Sequence, residues 1–515
     1  MILEQLVKHL PVLPVIVPLI SAPVCLLLRN GRLAWWYSML VAWLVLGISI
    51  RLMVELSLNP DAAISYPLGG WQAPYGIEYR LDWLGGLVLV IVSSIAAVVL
   101  PTAGRLLEGE VPESRRHLFF AAFLLCLTGL LGIASTGDLF NVFVFLEIAS
   151  LSSYALIAMG RGRRALTAAF GYLVMGTIGS TFIVIGIGLA YMMTGTLNIA
   201  DLAERLTMTL GEVFGEGAAL ANADQPVNQT ATTLAAFAFL TVGISLKMAL
   251  FPLHAWLPNA YAHAPSMVSA FLAATSTKVS YYLFLRVIFT IFGATLVFGR
   301  MQVQAVLMPL ALAAVFVGSA VAIYQVNLKR LLAWSSVAQI GYLVLAASFG
   351  TRAGLTAGIV HLFNHALTKG GLFLVVGAIG FRLHSVSLDD MKGIGRRMPW
   401  TMAAFVVGGL NLIGIPLTSG FVSKWYLVAA AIENGSWGIA VLVLLGSLLA
   451  AVYVWRVIEV AWFAVPDDPT SAELREAPAA ILVPAWVLLG ATLVFGVYTE
   501  LPVGVAVRAA EFLLP

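Results

Sequence analysis

Long apolar runs, separated by short polar connections, repeat along almost the entire chain. Most runs reach about 20 residues, the length that an α-helix needs to cross a hydrocarbon core about 30 Å thick. The pattern predicts an all-α polytopic membrane protein with about 14 transmembrane helices. Their predicted positions are 6–28, 33–58, 81–104, 117–135, 138–160, 165–194, 232–256, 265–291, 303–325, 330–349, 353–381, 399–431, 437–464 and 481–511.

These helices divide into two five-helix units, with three helices before them and one after. Each unit contains a helix that is interrupted by proline and also carries a lysine, the seventh at 245–258 and the twelfth at 414–424. Proline removes a backbone donor and clashes with the preceding turn, so we expect both helices to be discontinuous. Such pairs are typical of inverted-repeat transporters. The predicted divisions are 1–116 (helices 1–3), 117–291 (first repeat, helices 4–8), 303–464 (second inverted repeat, helices 9–13) and 465–515 (helix 14).

The composition narrows the class of protein. Of 515 residues, 61% are apolar and 10% charged, whereas soluble proteins have about 45–50% apolar and about 25% charged residues. This excludes a soluble enzyme and a nucleic-acid binder, and a net charge of +3 is too small to indicate a polyanionic partner. Cys25 and Cys126 lie in apolar runs and are expected to be buried, without a disulfide or a metal. No haem, iron–sulfur or nucleotide motif is present, so we expect no cofactor and no redox chemistry in this chain.

The basic residues predict the orientation in the membrane. Of the 28 lysines and arginines, 15 fall in one alternate set of connections, for example at 161–164 and 392–397, against 6 in the other set and 7 within the apolar runs. Because cytoplasmic connections are enriched in lysine and arginine, these connections are predicted to face the cytoplasm. An even number of helices then places both termini on the periplasmic or extracellular side of the inner (plasma) membrane.

Several ionisable residues lie inside the predicted spans. A charge at the bilayer centre costs about 2.5–3.5 kcal/mol on insertion scales, so such residues usually have a function. His361, His365 and Lys369 are spaced by four residues and share one helix face over about 12 Å. Burial favours the neutral form of lysine, and histidine titrates near neutral pH, so both can exchange protons. The candidate proton-transfer residues are Glu147, Lys247, Lys278, His361, His365, Lys369 and Lys424.

Two other interpretations of charged residues are weighed beside this one. Arg286 and Arg456 lie near helix ends, where snorkelling or a structural ion pair explains them. His361 and His365 have the spacing of a metal pair, but Leu362 stands where a zinc H-E-x-x-H motif has glutamate. We therefore predict no metal site.

With these motifs in view, the chain resembles the antiporter-like membrane subunits of respiratory complex I, membrane-bound hydrogenases and Mrp-type cation/proton antiporters. It is most similar to the D-type subunit of the Mrp antiporters. The family's fold has fourteen helices with two inverted five-helix repeats. The resemblance covers roughly residues 80–465, and its motifs are specific only in combination. They are 137–154 with Glu147, 195–202, 245–265 with Lys247, Lys278, 361–369 and 414–424.

The resemblance implies proton transfer along a hydrated axis at mid-membrane depth. Glu147 would pair with Lys247, and opening of that pair would push a proton to Lys278. The two histidines and Lys369 would relay it, and Lys424 would be the exit-side group. We expect the chain to need other membrane subunits of a hetero-oligomeric complex, with protons and monovalent cations as its ions and the lipid bilayer as its surroundings.

Three functions remain open on the sequence alone. The first is a subunit of a multisubunit sodium (or potassium)/proton antiporter. The second is the proton-pumping membrane subunit of a complex I-like NADH:quinone oxidoreductase or a membrane-bound hydrogenase, in which a soluble partner performs the electron chemistry. The third is a stand-alone carrier of an organic solute. The ladder of charges across four helices favours a proton relay over a single solute pocket.

Overall fold

The computed structural model of this chain describes residues 8–61, 63–214, 226–465 and 475–514. The first two residues of the predicted helix 6–28 and part of the connection before the predicted helix 232–256 lie outside the described residues. The helices are α1 Leu13–Leu28, α2 Gly31–Leu58, α3 Trp83–Val99, α4 Ala103–Glu110, α5 Arg116–Ser135, α6 Leu139–Ala158, α7 Arg163–Thr194, α8 Ile199–Phe214, α9 Pro226–Met248, α10 Trp256–His263, α11 Ser266–Leu285, α12 Gln304–Ile323, α13 Leu328–Ser348, α14 Arg352–Leu383, α15 Ile394–Arg397, α16 Pro399–Ile413, α17 Ser419–Glu433, α18 Trp437–Trp462, α19 Ala479–Val497 and α20 Glu500–Leu513.

The protein is a multi-pass membrane protein. Within the described ranges, eleven helical segments are long and apolar enough to cross a bilayer. Other helices bury most of α5 and α13, 89% and 94% of their apolar windows, but only 33% of α18 and of α19. The first pair therefore belongs to the protein's interior, and the second lies at its periphery. The long helix α14 packs against α13 of the first pair, α19 of the second pair and α11, which places its polar face inside the protein.

Two helices are interrupted where the prolines predict it. Helix α9 ends at Met248 and the helix resumes at Trp256 as α10, with Pro252 between them. Helix α16 ends at Ile413 and resumes at Ser419 as α17, with Pro416 between them. The second interruption is opened by Gly414, which has φ +87°, a conformation that glycine adopts without steric cost.

Two features differ from the predicted all-α pattern. A short antiparallel hairpin, β1 Ile64–Pro67 with β2 Glu78–Leu81, pairs Ile64 with Leu81. Glu78 of this hairpin accepts the Gly137 N–H through its carbonyl, so the hairpin closes over the connection between α5 and α6. The predicted last helix at 481–511 is two helices, because α19 ends at Val497 and α20 begins at Glu500.

Candidate functional site

The first interrupted helix brings Lys247 to the glutamate on α6. Lys247 lies in the last turn of α9 and is 4% exposed. Its Nζ donates to Ser150 Oγ at 2.8 Å and lies 3.7 Å from Glu147 Oε1. Glu147 also accepts a hydrogen bond from the Ser180 hydroxyl of α7. The lysine is thus held by one carboxylate and one hydroxyl, and the carboxylate has a second donor ready on α7.

A small polar cavity lies on the far side of Lys247, toward α11. Its volume is about 20 Å³, and a cavity of at least about 10–15 Å³ with polar walls has room for one water molecule. The cavity connects α9 with the helix that carries Lys278. Its polar lining consists of Ser150, Ser153, Tyr172, Lys247, Ser276 and Ser280.

Lys278 and Lys369 are deeply buried lysines held by neutral oxygens. Lys278 is 1% exposed, and its Nζ donates to the Ala273 carbonyl. Lys369 is fully buried, and its Nζ donates to Leu332 O at 2.9 Å and Ser335 Oγ at 2.5 Å. Within the described ranges neither lysine has a carboxylate within ion-pair distance. An ammonium without a counter-ion is costly in this environment.

The two histidines of α14 lie between Lys369 and the second interrupted helix. Their rings are 6.0 Å apart and nearly parallel, at 22°. His361 Nδ1 is 3.0 Å from Ser423 Oγ of α17, while neither ring nitrogen of His365 has a hydrogen-bond partner among the described residues. Since a buried ring nitrogen needs a partner, the face of α14 around His365 is suited to bind water.

The second interrupted helix holds Lys424 with its own backbone. Lys424 Nζ donates to Leu412 O and Ile413 O, both at 2.9 Å, and to Ser447 Oγ at 2.8 Å. The ammonium also lies 5.0 Å from the centroid of the Tyr342 ring. Lys424 is 6% exposed. The two carbonyls end α16, so the negative end of that helix dipole faces the lysine.

A set of amide and hydroxyl groups fastens this interruption to the histidine helix. Asn411 Nδ2 donates to Thr368 of α14, and Asn411 Oδ1 accepts the Gly420 N–H at 2.7 Å and the Ser419 hydroxyl at 3.2 Å. Asn364 of α14 donates to the Ser419 carbonyl. The geometry at Lys424 is therefore fixed relative to His361 by side chains that belong to α14 and α16.

The arginines near helix ends make structural contacts. Arg286 Nη2 lies 2.5 Å from Asp82 Oδ1, which also accepts the Gly85 N–H and so caps α3. Burial opposes ionisation of Asp82, but the Arg286 charge and the hydrogen bonds from Arg286 and the Gly85 N–H together outweigh it and lower the pKa of this carboxyl. Arg456 donates to Ile323 O and Gln325 O at the end of α12. Both arginines tie helices together instead of snorkelling.

Sequence reasoning misses the partners of the charged residues. Ser150, Ser180 and Ser447 look like ordinary serines of membrane helices, and backbone carbonyls have no sequence signal. Asn411 does have one, because it is an amide three residues before Gly414 inside an otherwise apolar run. In the described part of the chain, no group of three or more His, Cys, Asp or Glu side chains converges as metal ligands would.

The sequence and the fold both match known proteins. Residues 136–450 match a family model described as NADH:quinone oxidoreductase/Mrp antiporter, TM. The chain is 40% identical to NADH-quinone oxidoreductase subunit N of Desulforudis audaxviator over 96% of both chains. It is 29% identical to the D-type subunit of the Na(+)/H(+) antiporter of Bacillus subtilis over 98% of this chain and 97% of that one. A chain of the Mrp complex from Dietzia sp. DQ12-45-1b superposes with a TM-score of 0.86 at 26% identity, covering 100% and 98% of the two chains.

Proposed function

Because this chain belongs to the transmembrane family of NADH:quinone oxidoreductase and Mrp antiporter subunits, we propose that it carries protons in a multisubunit Na⁺ or K⁺/H⁺ antiporter. The observation that carries the proposal is a row of titratable side chains through the protein's interior, all of them buried except the partly exposed Glu147. It runs from the Glu147–Lys247 pair through Lys278 and α14 to Lys424. A relay needs such groups in sequence, since each must accept and release a proton.

The Glu147–Lys247 pair is the switch of this relay. A carboxylate beside a buried ammonium stabilises the protonated lysine, so weakening the pair makes Lys247 a better proton donor. The Ser180 hydroxyl is an alternative partner for Glu147 and lets the carboxylate turn away from the lysine without losing all its hydrogen bonds. The small cavity beside Lys247 has room for a water molecule that would pass the proton toward α11.

Beyond the switch, the proton moves from Lys278 to the groups of α14 and then to Lys424. Helix α11, which carries Lys278, packs against α14, which carries His365 and Lys369. The unpartnered ring nitrogens of His365 accept and donate protons through water. His361 and Lys424 are linked across Ser423 and Tyr342. The seven residues predicted from sequence thus take consecutive roles along one path.

The fold would follow the family's arrangement of fourteen helices. In this arrangement residues 117–291 and 303–464 are inverted five-helix repeats, with helices 1–3 at 1–116 and helix 14 within 465–515. The corresponding interruptions of α9/α10 and α16/α17 support the pairing of the repeats. The distribution of arginine and lysine supports a plasma-membrane location with both termini on the outer side. Other membrane subunits complete the complex and its cation path.

The test is ion exchange in everted membrane vesicles from a host that lacks its own antiporters. The complete gene cluster is compared with the same cluster carrying Lys247→Ala, and with exposed Lys8→Ala as the matched control. Addition of Na⁺ or K⁺ should dequench a pH-sensitive dye with the native chain and with Lys8→Ala, but not with Lys247→Ala. Exchange that survives Lys247→Ala in an assembled complex contradicts the relay.

The second candidate is the proton-pumping subunit of a redox-driven complex. It is favoured by the 40% identical relative, whose name is that of an NADH-quinone oxidoreductase subunit. In this case the assembled complex acidifies vesicles when an electron donor is oxidised and gives no response to Na⁺ or K⁺. The same relay residues are then required, so Lys247→Ala abolishes proton pumping while electron transfer at a soluble partner remains measurable.

A further inference from the structure

The oxygens around Lys424 are released from helix hydrogen bonding by the sequence of the interruption. Pro416 has no N–H, so it cannot donate to Leu412 O, its partner four residues earlier in a continuous helix. In a continuous helix the Leu417 N–H would donate to Ile413 O, but the φ of +72° at Leu417 turns this N–H away from that carbonyl. Both carbonyls thus face the protein interior at the negative end of α16, where they bind a cation, the Lys424 ammonium.

The third oxygen is also oriented toward a cation. Ser447 donates its own proton to Val443 O at 3.2 Å, which leaves the lone pairs of Ser447 Oγ for Lys424. The ring face of Tyr342 adds an attractive site for positive charge on another side. In the described part of the chain, no carboxylate forms an ion pair with Lys424. Neutral oxygens and the face of the Tyr342 ring therefore compensate this charge.

Carbonyl and hydroxyl oxygens in this arrangement are the ligands that alkali cations take. Channel filters replace the hydration shell of an alkali cation with backbone carbonyls. In transporters with discontinuous helices, unwound carbonyls and the C-terminal ends of half-helices coordinate Na⁺. Gly414 is required here twice, because of its positive φ and because a Cβ would lie 2.8 Å from Lys424 Cδ. The absence of a side chain at Gly414 thus leaves the space through which the Lys424 side chain reaches these oxygens.

We propose that Leu412 O, Ile413 O and Ser447 Oγ form a binding site for a monovalent alkali cation, which the cation and the Lys424 ammonium occupy in turn. The Lys424 ammonium loses one proton, the neutral amine withdraws, and one cation takes its oxygens, so the charge at the site is unchanged. This inference rests on the proposed proton transfer through Lys424. It would couple one proton to one cation within this chain.

The titratable residues around Lys424 determine which group can exchange a proton with it. Helices α16 and α19 contain no titratable residue. Helix α14 presents His361, held by Ser423, and α13 presents Tyr342. The titratable residues of α18 begin six residues beyond Ser447, at Tyr453, and Arg456 and Glu459 lie farther on. His361 is accordingly the group positioned to pass a proton to the neutral Lys424 amine, and the proton that Lys424 loses leaves on its exit side.

A comparison with Lys369 shows why the proposed cation site depends on the helix interruption. Its ammonium also contacts a carbonyl and a serine, Leu332 O and Ser335 Oγ. Helix α13 is continuous there, and Leu332 O already accepts the Ser336 hydroxyl. Removal of Lys369 therefore leaves oxygens that are engaged elsewhere, whereas removal of Lys424 leaves the Leu412 and Ile413 carbonyls with no other donor among the described residues. Lys369→Ala is the matched control for Lys424→Ala.

The direct test is cation binding to the purified, assembled complex by equilibrium dialysis with radioactive ²²Na⁺ and, in a parallel arm, ⁸⁶Rb⁺ as a K⁺ analogue. Lys424→Ala should gain one bound cation per chain, independent of pH. Lys424→Met fills the same space with an apolar side chain, and Lys369→Ala leaves no free ligands, so both should bind about tenfold more weakly or not at all. Adding Ser447→Ala to Lys424→Ala should also weaken binding about tenfold. Equal binding by Lys424→Ala and Lys424→Met overturns the proposal.

A second measurement needs only chains that keep the lysine. Addition of Na⁺ or Rb⁺ to the native complex in weakly buffered solution should release one proton for each cation bound. Ser447→Ala should weaken both together, and binding without proton release overturns the proposal even if Lys424→Ala fails to assemble. Both readouts are equilibria, so they stay measurable if Glu147→Gln leaves transport intact and the switch in the proposed function fails.

Discussion

The two interrupted helices place their lysines on opposite sides of the break. Lys247 lies at the end of α9, before the interruption, and it contacts a carboxylate on another helix. Lys424 lies in α17, after the interruption, and it turns back onto the end of α16. The sequence makes the two helices look equivalent, but their charges are compensated by different chemistry.

The difference arises from how each break satisfies its free carbonyls. At the first, the Trp256 indole N–H donates to Leu246 O and the Leu250 N–H donates to Ser245 O. Neutral donors close that helix end, which leaves Lys247 for Glu147. At the second, the lysine itself closes the helix end. The charge of Lys247 thus depends on a carboxylate that can be protonated or can move away. The charge of Lys424 depends on backbone carbonyls, which can only exchange one cation for another.

The largest expected effect on stability distinguishes a lysine compensated by a carboxylate from a lysine compensated by backbone carbonyls. Lys247→Ala leaves the Glu147 carboxylate without its cation, and breaking a buried pair costs about 3–5 kcal/mol. We expect the lower end, because 30% of the Glu147 side chain is exposed. Adding Glu147→Gln should recover much of the loss in thermal stability of the purified complex. The same Glu147→Gln added to Lys424→Ala should recover nothing, and equal recovery in both would erase the distinction.

A smaller effect is expected from the amide and hydroxyl groups that fasten the second interruption to α14. Asn411→Ala removes the acceptor of the buried Gly420 N–H, and an unsatisfied buried donor costs about 1–3 kcal/mol. Hydrogen exchange should become faster at 414–420 and remain unchanged at 249–255. Faster exchange at both interruptions would show a general loss of packing, and Asn411 would then not stabilise the second interruption specifically.

The reciprocal change at the first break should be weaker. Trp256→Phe removes the indole donor to Leu246 O but retains an aromatic ring against Tyr172, whose ring centroid is 3.9 Å away. Loss of one hydrogen bond costs about 0.5–1.5 kcal/mol. Exchange at 249–255 should accelerate by about tenfold, and exchange at 414–420 should not change. Unaltered exchange at 249–255 would mean that the indole does not hold this break closed.

The smallest effect concerns the alternative partner of Glu147. Ser180→Ala removes one hydroxyl donor from a carboxylate that water can still reach, so we expect a loss of about 0.5 kcal/mol. Proton transport should change by about two- to threefold in vesicles. Ser447→Ala, at the second break, should instead change the dependence of transport on cation concentration. If Ser180→Ala shifts that dependence as strongly, the two serines do not have separate roles.

Much of this architecture could be predicted from the sequence because its signals are rare in apolar runs. Pro252 and Pro416 indicate both interruptions, and every candidate relay residue is a charge or histidine where leucine is expected. The division of the last predicted helix was missed, although Pro502 lies in the first turn of α20, where proline is tolerated. The hairpin at 64–81 was missed because its strands have only four residues each.

The partners of the charged residues could not be predicted in the same way. Glu147 and Lys247 are separated by 100 positions, and only the packing of α6 against its neighbours decides whether they meet. The carbonyls that hold Lys424 exist at every residue, and they become ligands only because Pro416 leaves one without a donor. Sequence thus reveals where charge is placed, while packing reveals what compensates it.

The central claim is that the Glu147–Lys247 pair switches the relay. Its most direct test is proton transport in everted vesicles by the assembled complex carrying Glu147→Gln. The matched control is Glu55→Gln, a glutamate half-exposed on α2 that pairs with Arg51 one turn earlier. We predict that Glu147→Gln lowers the transport rate at least about tenfold, equivalent to about 1.4 kcal/mol, while Glu55→Gln does not. Full transport by assembled Glu147→Gln would contradict the account.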